Sequence, residues 1–505
     1  MPSFPRPETT VPYRIDGLAD LLPEAAGLAL DVTGVSLAAD AVAPGDLFAA
    51  LPGANRHGAE FTAQAAERGA VAVLTDARGA GLVSASSSGG RLPVLVTDDP
   101  RALTGEIAAR VWGRPSERLN LLGITGTNGK TSTAYLVEAG LAHAGRTTGI
   151  IGTVETRIAG ERIESARTTP EAPELQALLA VALENGVTDV VMEVSSHALV
   201  LGRVAGCRFR AAGFTMFGTD HLDFHKDLDD YFEAKARLFD GRARTAVLNA
   251  DDKRVASLSG PGTLEFSLTD SGADYYASDI TTDGFTQRFR LKTPHGEGEG
   301  LVNMPGRHNV ANAALAVALL EAAGVDTDTA LAGVASCTGV PGRMELVSGD
   351  NPVRGVVDYA HKPEAITAVL EALRDSTPGK VIAVLGAGGD RDRSKRPLMG
   401  AAAARAADLV IVTDDNPRTE DPARIRDEVA AAVHGVPCRN IAGREAAVEE
   451  AAALAAPGDT IALLGKGHET ATETAAGFVA GDDRVLLARA LRNAASVKPA
   501  HDVEA

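Results

Sequence analysis

Seven residues, Thr125-Gly126-Thr127-Asn128-Gly129-Lys130-Thr131, stand between an apolar run (Leu121, Leu122, Ile124) and the helical pattern TAYLVEAGLAHAG. Strand, glycine loop and helix in that order let backbone N–H groups and a helix N-terminus surround phosphate oxygens. Gly126 and Gly129 allow a tight turn and a close approach to the anion. Lys130 is placed for the β- and γ-phosphates, and Thr131 for a magnesium ion. The strict G-x-x-x-x-G-K-[ST] template is not met: its first glycine would fall at Ile124, and Gly123 sits one residue early. The alternative is a strand–helix turn with an incidental lysine. Nucleotide binding is the stronger reading, because strand and helix are both correctly placed.

Two further clusters follow. TDVVMEVSSHAL reads as a buried strand whose polar residues, Glu193, Ser195, Ser196 and His197, come only at its end. AAGFTMF reads as the next strand, ending in Asp220, His221, Asp223 and His225. Open α/β sheets hold their ligands at the carboxyl edge, and a carboxylate beside a phosphate loop suits magnesium. Two such clusters outweigh the reading of each histidine as structural. Lys235 lies on the amphipathic pattern DLDDYFEAKARLFDG and taken alone is most simply a surface charge. Asn309 and Asn312 fall at a helix start, where amides cap the helix or contact a base.

Near the C-terminus, KVIAVLGAGGDRD, ADLVIVTDDNPR and DTIALLGKGHE are apolar strands ending in polar residues, with helices between them. They imply a doubly wound, Rossmann-like sheet. NAD binding is rejected, because G-x-G-x-x-G requires glycine where Arg391 stands. Arg391, Asp415, Asn416, Arg418, Lys466, His468 and Glu469 converge on one edge. Two arginines among carboxylates suit a zwitterion, since guanidinium pairs bidentately with carboxylate.

These groups need a large scaffold. The chain has 505 residues, 45% hydrophobic and 23% charged, which indicates a globular α/β protein of about three domains. The first, to about residue 115, contains PGDLFAAL, a helix around AEFTAQAAERGA, the strands AVAVLTD and LPVLVTDD, and the helix RALTGEIAARVWG. It shows no catalytic constellation and reads as a binding or scaffold domain. The SSSGG segment near Ser86 reads as a surface loop, Leu264 to Leu301 as hairpins, and the tail SVKPAHDVEA as frayed. A net charge of −18 argues against a nucleic-acid partner. No stretch is long and apolar enough for a membrane span, and the N-terminus lacks a signal-peptide core. Cys207, Cys337 and Cys438, roughly a hundred residues apart, form neither a zinc site nor a disulfide framework, so a cytoplasmic location is expected.

In order along the chain, GTNGKTS, EVSSHAL, TDHLDFH, YFEAKARLF, GRHNVAN, PGRME, DYAHKP and GGDRDRSKRPLMG resemble the motifs of the Mur ligases. These are the ATP-dependent amide-forming enzymes of peptidoglycan precursor synthesis. The resemblance runs from about Pro44 to Glu469. The extended N-terminal domain and DNPR (Asp415 to Arg418) resemble the branch that adds meso-diaminopimelate, rather than lysine, to UDP-N-acetylmuramoyl-L-alanyl-D-glutamate.

The resemblance implies three domains: a small α/β sugar-nucleotide domain (1–115), a central P-loop ATPase-like parallel-sheet domain (116–340), and a Rossmann-like amino-acid domain (341–505). It implies that Gly126, Thr127, Asn128, Gly129, Lys130, Thr131 and Ser132 hold ATP, with Asn309 near the base and Arg343 and Asp358 closing on the nucleotide. Thr131, Glu193, His221 and Lys235 resemble ligands of two magnesium ions. The family's lysine at this position is N-carboxylated, since a carbamate is an anionic oxygen ligand where an ammonium would be repelled. Leu37, Ala39, Thr168, Thr169, Ser195 and Arg203 resemble contacts to the nucleotide-sugar dipeptide. Arg391, Asp415, Asn416, Pro417, Arg418, Gly465 and Glu469 resemble the diaminopimelate pocket.

Two departures stand out. Ala38-Ala39-Asp40 replaces the frequent Asp-Ser-Arg, removing a hydroxyl at Ala39, and Leu201 replaces a polar residue. The implied reaction runs through an acyl phosphate without a protein nucleophile, with domain closure around it and a monomer as the working form. The rivals are a lysine-adding ligase, a folylpolyglutamate synthetase-like ligase and a nucleotide-gated binding protein. Glu193, His221 and Lys235 together speak against the last, since ATP binding alone needs fewer groups.

Overall fold

The computed structural model describes residues 4–85, 92–165, 167–349 and 351–497. The SSSGG segment and the tail beyond Val497 lie outside the described residues. By its internal contacts the chain divides into two compact units, one of residues 1–279, 289–301 and 310–337, the other of 280–288, 302–309 and 338–505.

After a short antiparallel pairing of Tyr13–Arg14 with Asp31–Val32, the first unit forms a four-stranded parallel sheet in sequential order: β1 (Gly34–Ser36), β2 (Asp46–Ala49), β3 (Ala72–Thr75) and β4 (Val94–Val96). Helices α1 (Thr62–Glu67), α2 (Ala77–Ala85) and α3 (Pro100–Val111) accompany it. Asp99 caps α3 by accepting from the Ala102 N–H at 3.0 Å, and Pro100 takes the first helical position, where no N–H is needed.

The larger sheet starts with β5 (Asn120–Thr125), which leads into α4 (Lys130–His143). Then come β6 (Thr148–Ile151), β7 (Thr156–Ile158), β8 (Glu161–Ile163), α5 (Ala172–Glu184), β9 (Asp189–Glu193), α6 (Ser196–Val200) and β10 (Ala211–Phe214). They are followed by α7 (Leu228–Ala236), β11 (Ala246–Asn249), β12 (Thr263–Ser267), β13 (Tyr275–Asp283), β14 (Thr286–Thr293) and β15 (Gly296–Val302). The order across the sheet is β8-β7-β6-β9-β5-β10-β11-β12-β13-β14-β15. From β6 to β12 all pairings are parallel. Strand Asp189–Glu193 is buried along its whole length, with apolar Val190, Val191 and Met192 between its two acidic ends, as a sheet covered on both faces requires.

The hairpin region is shorter than its sequence pattern implies. Leu264 sits in β12, which pairs parallel with β11, and the alternation of buried and exposed residues is clearest in Thr286–Thr293. Helices α8 (Arg307–Ala322) and α9 (Thr327–Ser336) follow.

The second unit carries β16 (Glu345–Leu346), β17 (Arg354–Asp358), α10 (Pro363–Arg374), β18 (Val381–Leu385), α11 (Lys395–Ala406), β19 (Leu409–Val412) and α12 (Pro422–Ala430). It continues with β20 (Cys438–Asn440), α13 (Arg444–Leu454), β21 (Thr460–Leu464), β22 (Ala471–Thr474), β23 (Gly477–Ala480) and α14 (Asp483–Val497). The order β16-β17-β21-β18-β19-β20 is parallel from β17 to β20. Alternate residues of β18 enter opposite cores: Val381, Ala383 and Leu385 pack with Leu370 and Met399, while Ile382 and Val384 pack with Val448 and Leu487. Helices thus cover both faces, as the doubly wound reading requires. Strand order reverses between β18 and β21, and a crevice opens at the carboxyl ends of the strands at such a switch point. No helix among the described residues is long and apolar enough to cross a membrane.

Candidate active site

In the first unit, β5 ends at Thr125 and the chain turns through Gly126 and Gly129, whose φ angles are 142° and 86°. A Cβ on Gly126 would lie 1.8 Å from Thr215 Oγ1, and one on Gly129 2.5 Å from Asn312 Oδ1. Both positions therefore require glycine on conformational and steric grounds. Lys130, the first residue of α4, folds back so that Nζ donates to the carbonyls of Gly126 at 2.8 Å and Thr127 at 3.0 Å. Thr127 Oγ1 donates to the Gly218 carbonyl at 3.2 Å. Asn128 is exposed and Ser132 partly so.

Strands β9 and β10 lie on either side of β5. Glu193, at the end of β9, is 1% exposed. It accepts from Thr131 Oγ1 at 2.9 Å, the Thr153 N–H at 2.9 Å and Thr153 Oγ1 at 3.1 Å. A hydroxyl and a buried carboxylate thus meet beside the glycine loop, both hard oxygen donors of the kind magnesium takes. Among the described residues no three His, Cys, Asp or Glu side chains gather closely enough to hold an ion by themselves.

Beyond β10, His221 adopts a left-handed φ of 52°, and its ring stands edge-on to His197, with centroids 4.8 Å apart. Lys235 is not a surface charge: on α7 it is 1% exposed, and Nζ donates to the Gly126 carbonyl at 2.8 Å. Burial, reinforced by the charge of Lys130, holds its ammonium well below the usual lysine range. His225 is a fastener, its two ring nitrogens bonded to Ser196 Oγ at 2.9 Å and Asp230 at 3.1 Å.

Thr168, Thr169, Ser195 and Arg203 surround the end of β9. Thr169 Oγ1 donates to the Glu193 carbonyl at 2.9 Å and accepts from the Ser195 N–H at 3.2 Å. Thr168 Oγ1 meets Thr153 Oγ1 at 3.0 Å. Ser195 Oγ caps α6 by accepting from Ala198. Arg203 pairs with Glu171 at 2.8 Å and donates to the Thr169 carbonyl. Leu37 follows β1 and lines a small cleft of about 70 Å³ with Ala38, Trp112 and Pro173, while Ala39 is buried in a turn. The sequence reading missed Thr153 and Glu171, isolated polar residues outside any motif.

In the second unit, Asn309 lies in the first turn of α8 and donates from Nδ2 to the Pro305 carbonyl at 2.8 Å, a local bond. Asp358 ends β17 and accepts from the N–H groups of Met344 and Ala360, each at 2.7 Å. Burial raises its pKa, opposed by the Arg343 charge. The Arg343 guanidinium sits 4.7 Å from the Tyr359 ring centroid.

At the carboxyl ends of β18, β19 and β21 the expected amine-pocket residues come together. Gly465 has a φ of 111°, and a Cβ there would fall 2.6 Å from Asp415 Oδ2. Asn416 Nδ2 donates to Glu469 Oε2 at 2.9 Å. Burial raises the Glu469 pKa, with the Asn416 hydrogen bond opposing. The Asn416 carbonyl accepts from the Gly389 N–H at 2.9 Å, and a Cβ on Gly389 would strike the Pro417 carbonyl. Arg391, exposed, and Arg418 flank Gly388. Lys466 turns away instead, donating to the Ala471 carbonyl at 2.6 Å and Thr472 Oγ1 at 2.7 Å.

Comparison with known proteins follows the same pattern. Residues 31–112 match the Mur ligase family catalytic domain, residues 124–320 the Mur ligase middle domain, and residues 342–467 the Mur ligase glutamate ligase domain. A UDP-N-acetylmuramoyl-L-alanyl-D-glutamate--2,6-diaminopimelate ligase of Streptomyces avermitilis is 48% identical, covering 92% of this chain and 93% of its own. Its namesake in Streptomyces coelicolor is 47% identical over 97% and 99% of the two chains. A solved structure of an enzyme of that name superposes with a TM-score of 0.70 at 31% identity, covering 96% of this chain and 99% of the other. Matched by motif order, by domain models and by near-full-length relatives, the chain belongs to the Mur ligase family.

Proposed function

We propose that this protein is an ATP-dependent amide ligase that joins meso-diaminopimelate to the D-glutamyl γ-carboxylate of UDP-N-acetylmuramoyl-L-alanyl-D-glutamate, in peptidoglycan precursor synthesis in the cytoplasm. The observation that carries the reading is the meeting of Thr131 and Glu193 at the phosphate loop, with Lys235 buried against Gly126. Relatives bearing that name match nearly the whole chain.

In this reading Gly126 to Ser132 hold the triphosphate, and Asn309, Arg343 and Asp358 contact the rest of the nucleotide. Thr168, Thr169, Ser195 and Arg203 orient the dipeptide, and Leu37 and the backbone at Ala39 face the uridine diphosphate. The γ-carboxylate attacks the γ-phosphorus in line, expelling ADP and giving an acyl phosphate. Lys130 offsets charge on the transferring phosphoryl group. Magnesium, when bound, offsets charge repulsion between carboxylate and triphosphate, and Thr131, Glu193, His221 and an N-carboxylated Lys235 would hold it. Arg391, Asp415, Asn416, Pro417, Arg418, Gly465 and Glu469 bind and orient diaminopimelate. Its deprotonated amine attacks the acyl carbon, phosphate leaves, and the amide remains.

The test is phosphate release from ATP in the presence of the muramyl dipeptide nucleotide, with meso-diaminopimelate, L-lysine or no amine. Release that depends on meso-diaminopimelate is expected. Equal release with lysine would leave a Mur ligase of different amine choice.

A further inference from the structure

One acidic residue of the second unit stands beside the amine-pocket cluster and is part of no motif. Glu473, on β22, accepts from Arg418 Nε at 2.7 Å. The Arg418 N–H donates to the Glu473 carbonyl at 3.0 Å, and the Glu473 N–H donates to Asn416 Oδ1 at 2.8 Å. Arg418 and Glu473 are thus fastened at both backbone and side chain. The strand itself is anchored, since Lys466 Nζ bonds to Ala471 and Thr472.

Arg418 needs such fastening. Its φ is 50°, a left-handed conformation that a side chain with a Cβ adopts only when its surroundings hold it there. Its guanidinium is divided among partners: Nε faces Glu473, and Nη1 donates to the Gly389 carbonyl at 2.8 Å. Nη2 makes no hydrogen bond among the described residues. A guanidinium offers five N–H donors in a fixed plane, so two anchored donors fix the direction of the remaining edge.

We infer that Glu473 is a positioning and specificity residue of the amine pocket, holding the Arg418 guanidinium so that its free edge meets a carboxylate on the far end of the incoming amino acid. The inference rests on the proposed ligase activity and deepens it. Arg418 without Glu473 keeps its charge but loses its fixed orientation. Affinity for an amino acid with a distal carboxylate then falls, while the chemistry at the near amine does not change.

The experiment compares wild type, Glu473→Ala and Glu473→Gln in the full chain, measuring kcat and KM for meso-diaminopimelate, KM for ATP, and turnover of L-lysine. Glu473→Ala is expected to raise KM for meso-diaminopimelate about tenfold with kcat and KM for ATP unchanged. Glu473→Gln, whose amide oxygen can still accept from Nε, is expected to restore most of that affinity. A wild type that uses L-lysine as well as meso-diaminopimelate overturns the functional reading, and this inference with it. A wild type that prefers meso-diaminopimelate with Glu473→Ala indistinguishable from it overturns the role of Glu473 alone. Equal changes in KM for ATP and in kcat also overturn that role, showing Glu473 to be only structural.

Discussion

Lys235 Nζ reaches across 109 residues of sequence to the carbonyl of Gly126, at 2.8 Å. A buried amine is thereby tied to the loop proposed to bind triphosphate. Its pKa is held down by burial, so a larger fraction is neutral than for a lysine in water. The neutral amine is the form that reacts with carbon dioxide. Lys235→Arg keeps a cation and cannot form a carbamate, so turnover should fall by several orders of magnitude. Bicarbonate should stimulate wild type depleted of carbon dioxide and leave Lys235→Arg unchanged. Equal turnover in the two proteins would remove the carbamate from the mechanism.

The same shift has a sign in stability. A lysine whose pKa is lowered in the folded state binds fewer protons there than in the unfolded chain between the two pKa values, so stability rises with pH across that interval. Replacing it with unbranched, neutral Lys235→Met removes this dependence. In carbon dioxide-free buffer, Lys235→Met should exceed wild type in Tm near neutral pH, with the gap narrowing toward the ordinary lysine pKa of about 10.4. A gap that widens with rising pH would contradict the buried-amine assignment.

Lys130 opens α4, is partly exposed, and donates from Nζ to the carbonyls of Gly126 and Thr127 close by in the chain. Lys130→Ala should therefore leave Tm within a few degrees of wild type while activity falls by roughly a thousandfold or more, because charge on the transferring phosphoryl group loses its cation. Phosphate release and thermal unfolding, measured on one preparation, check both halves. Near-normal turnover would remove Lys130 from the reaction.

Glu193 is surrounded by donors from Thr131 and Thr153. Glu193→Gln puts an amide N–H₂ where acceptors are needed, and leaving a buried group unsatisfied costs about 1–3 kcal/mol. Stability should drop by that order, and the magnesium concentration for half-maximal activity should rise at least tenfold. An unchanged magnesium requirement would place the ion elsewhere.

For Arg418 the outcome is amine choice. Lysine lacks the far carboxylate of meso-diaminopimelate, and sites built around such a partner reject analogues lacking it by roughly 10⁴-fold. Arg418→Ala should raise KM for meso-diaminopimelate sharply and narrow the kcat/KM ratio between the two amines. Arg418→Lys should do nearly the same, because an ammonium cannot reproduce a planar fork. Preserved discrimination in Arg418→Ala would assign the far carboxylate to another cation, with Arg391 the first to examine.

Sequence alone determined the parts whose chemistry is local. A glycine loop between strand and helix, polar residues closing apolar strands, and Arg391 in place of a third glycine are contiguous patterns, legible because backbone conformation and side-chain type act over a few residues. Tertiary structure decided what depends on strand order and burial. The clusters ending at Glu193 and running on to His221 are consecutive in the chain, yet β5 inserts between their strands and puts the glycine loop between them. Lys235 reads as a solvated charge on an amphipathic helix until the face of α7 that meets Gly126 is known. His225 looks equivalent to His221 until its nitrogens are seen bonded to Ser196 and Asp230. Glu473 carries no sequence signal at all, because only the return of β22 beside Arg418 gives it a partner. Pairings of this kind arise from long-range packing, which no window along the sequence contains.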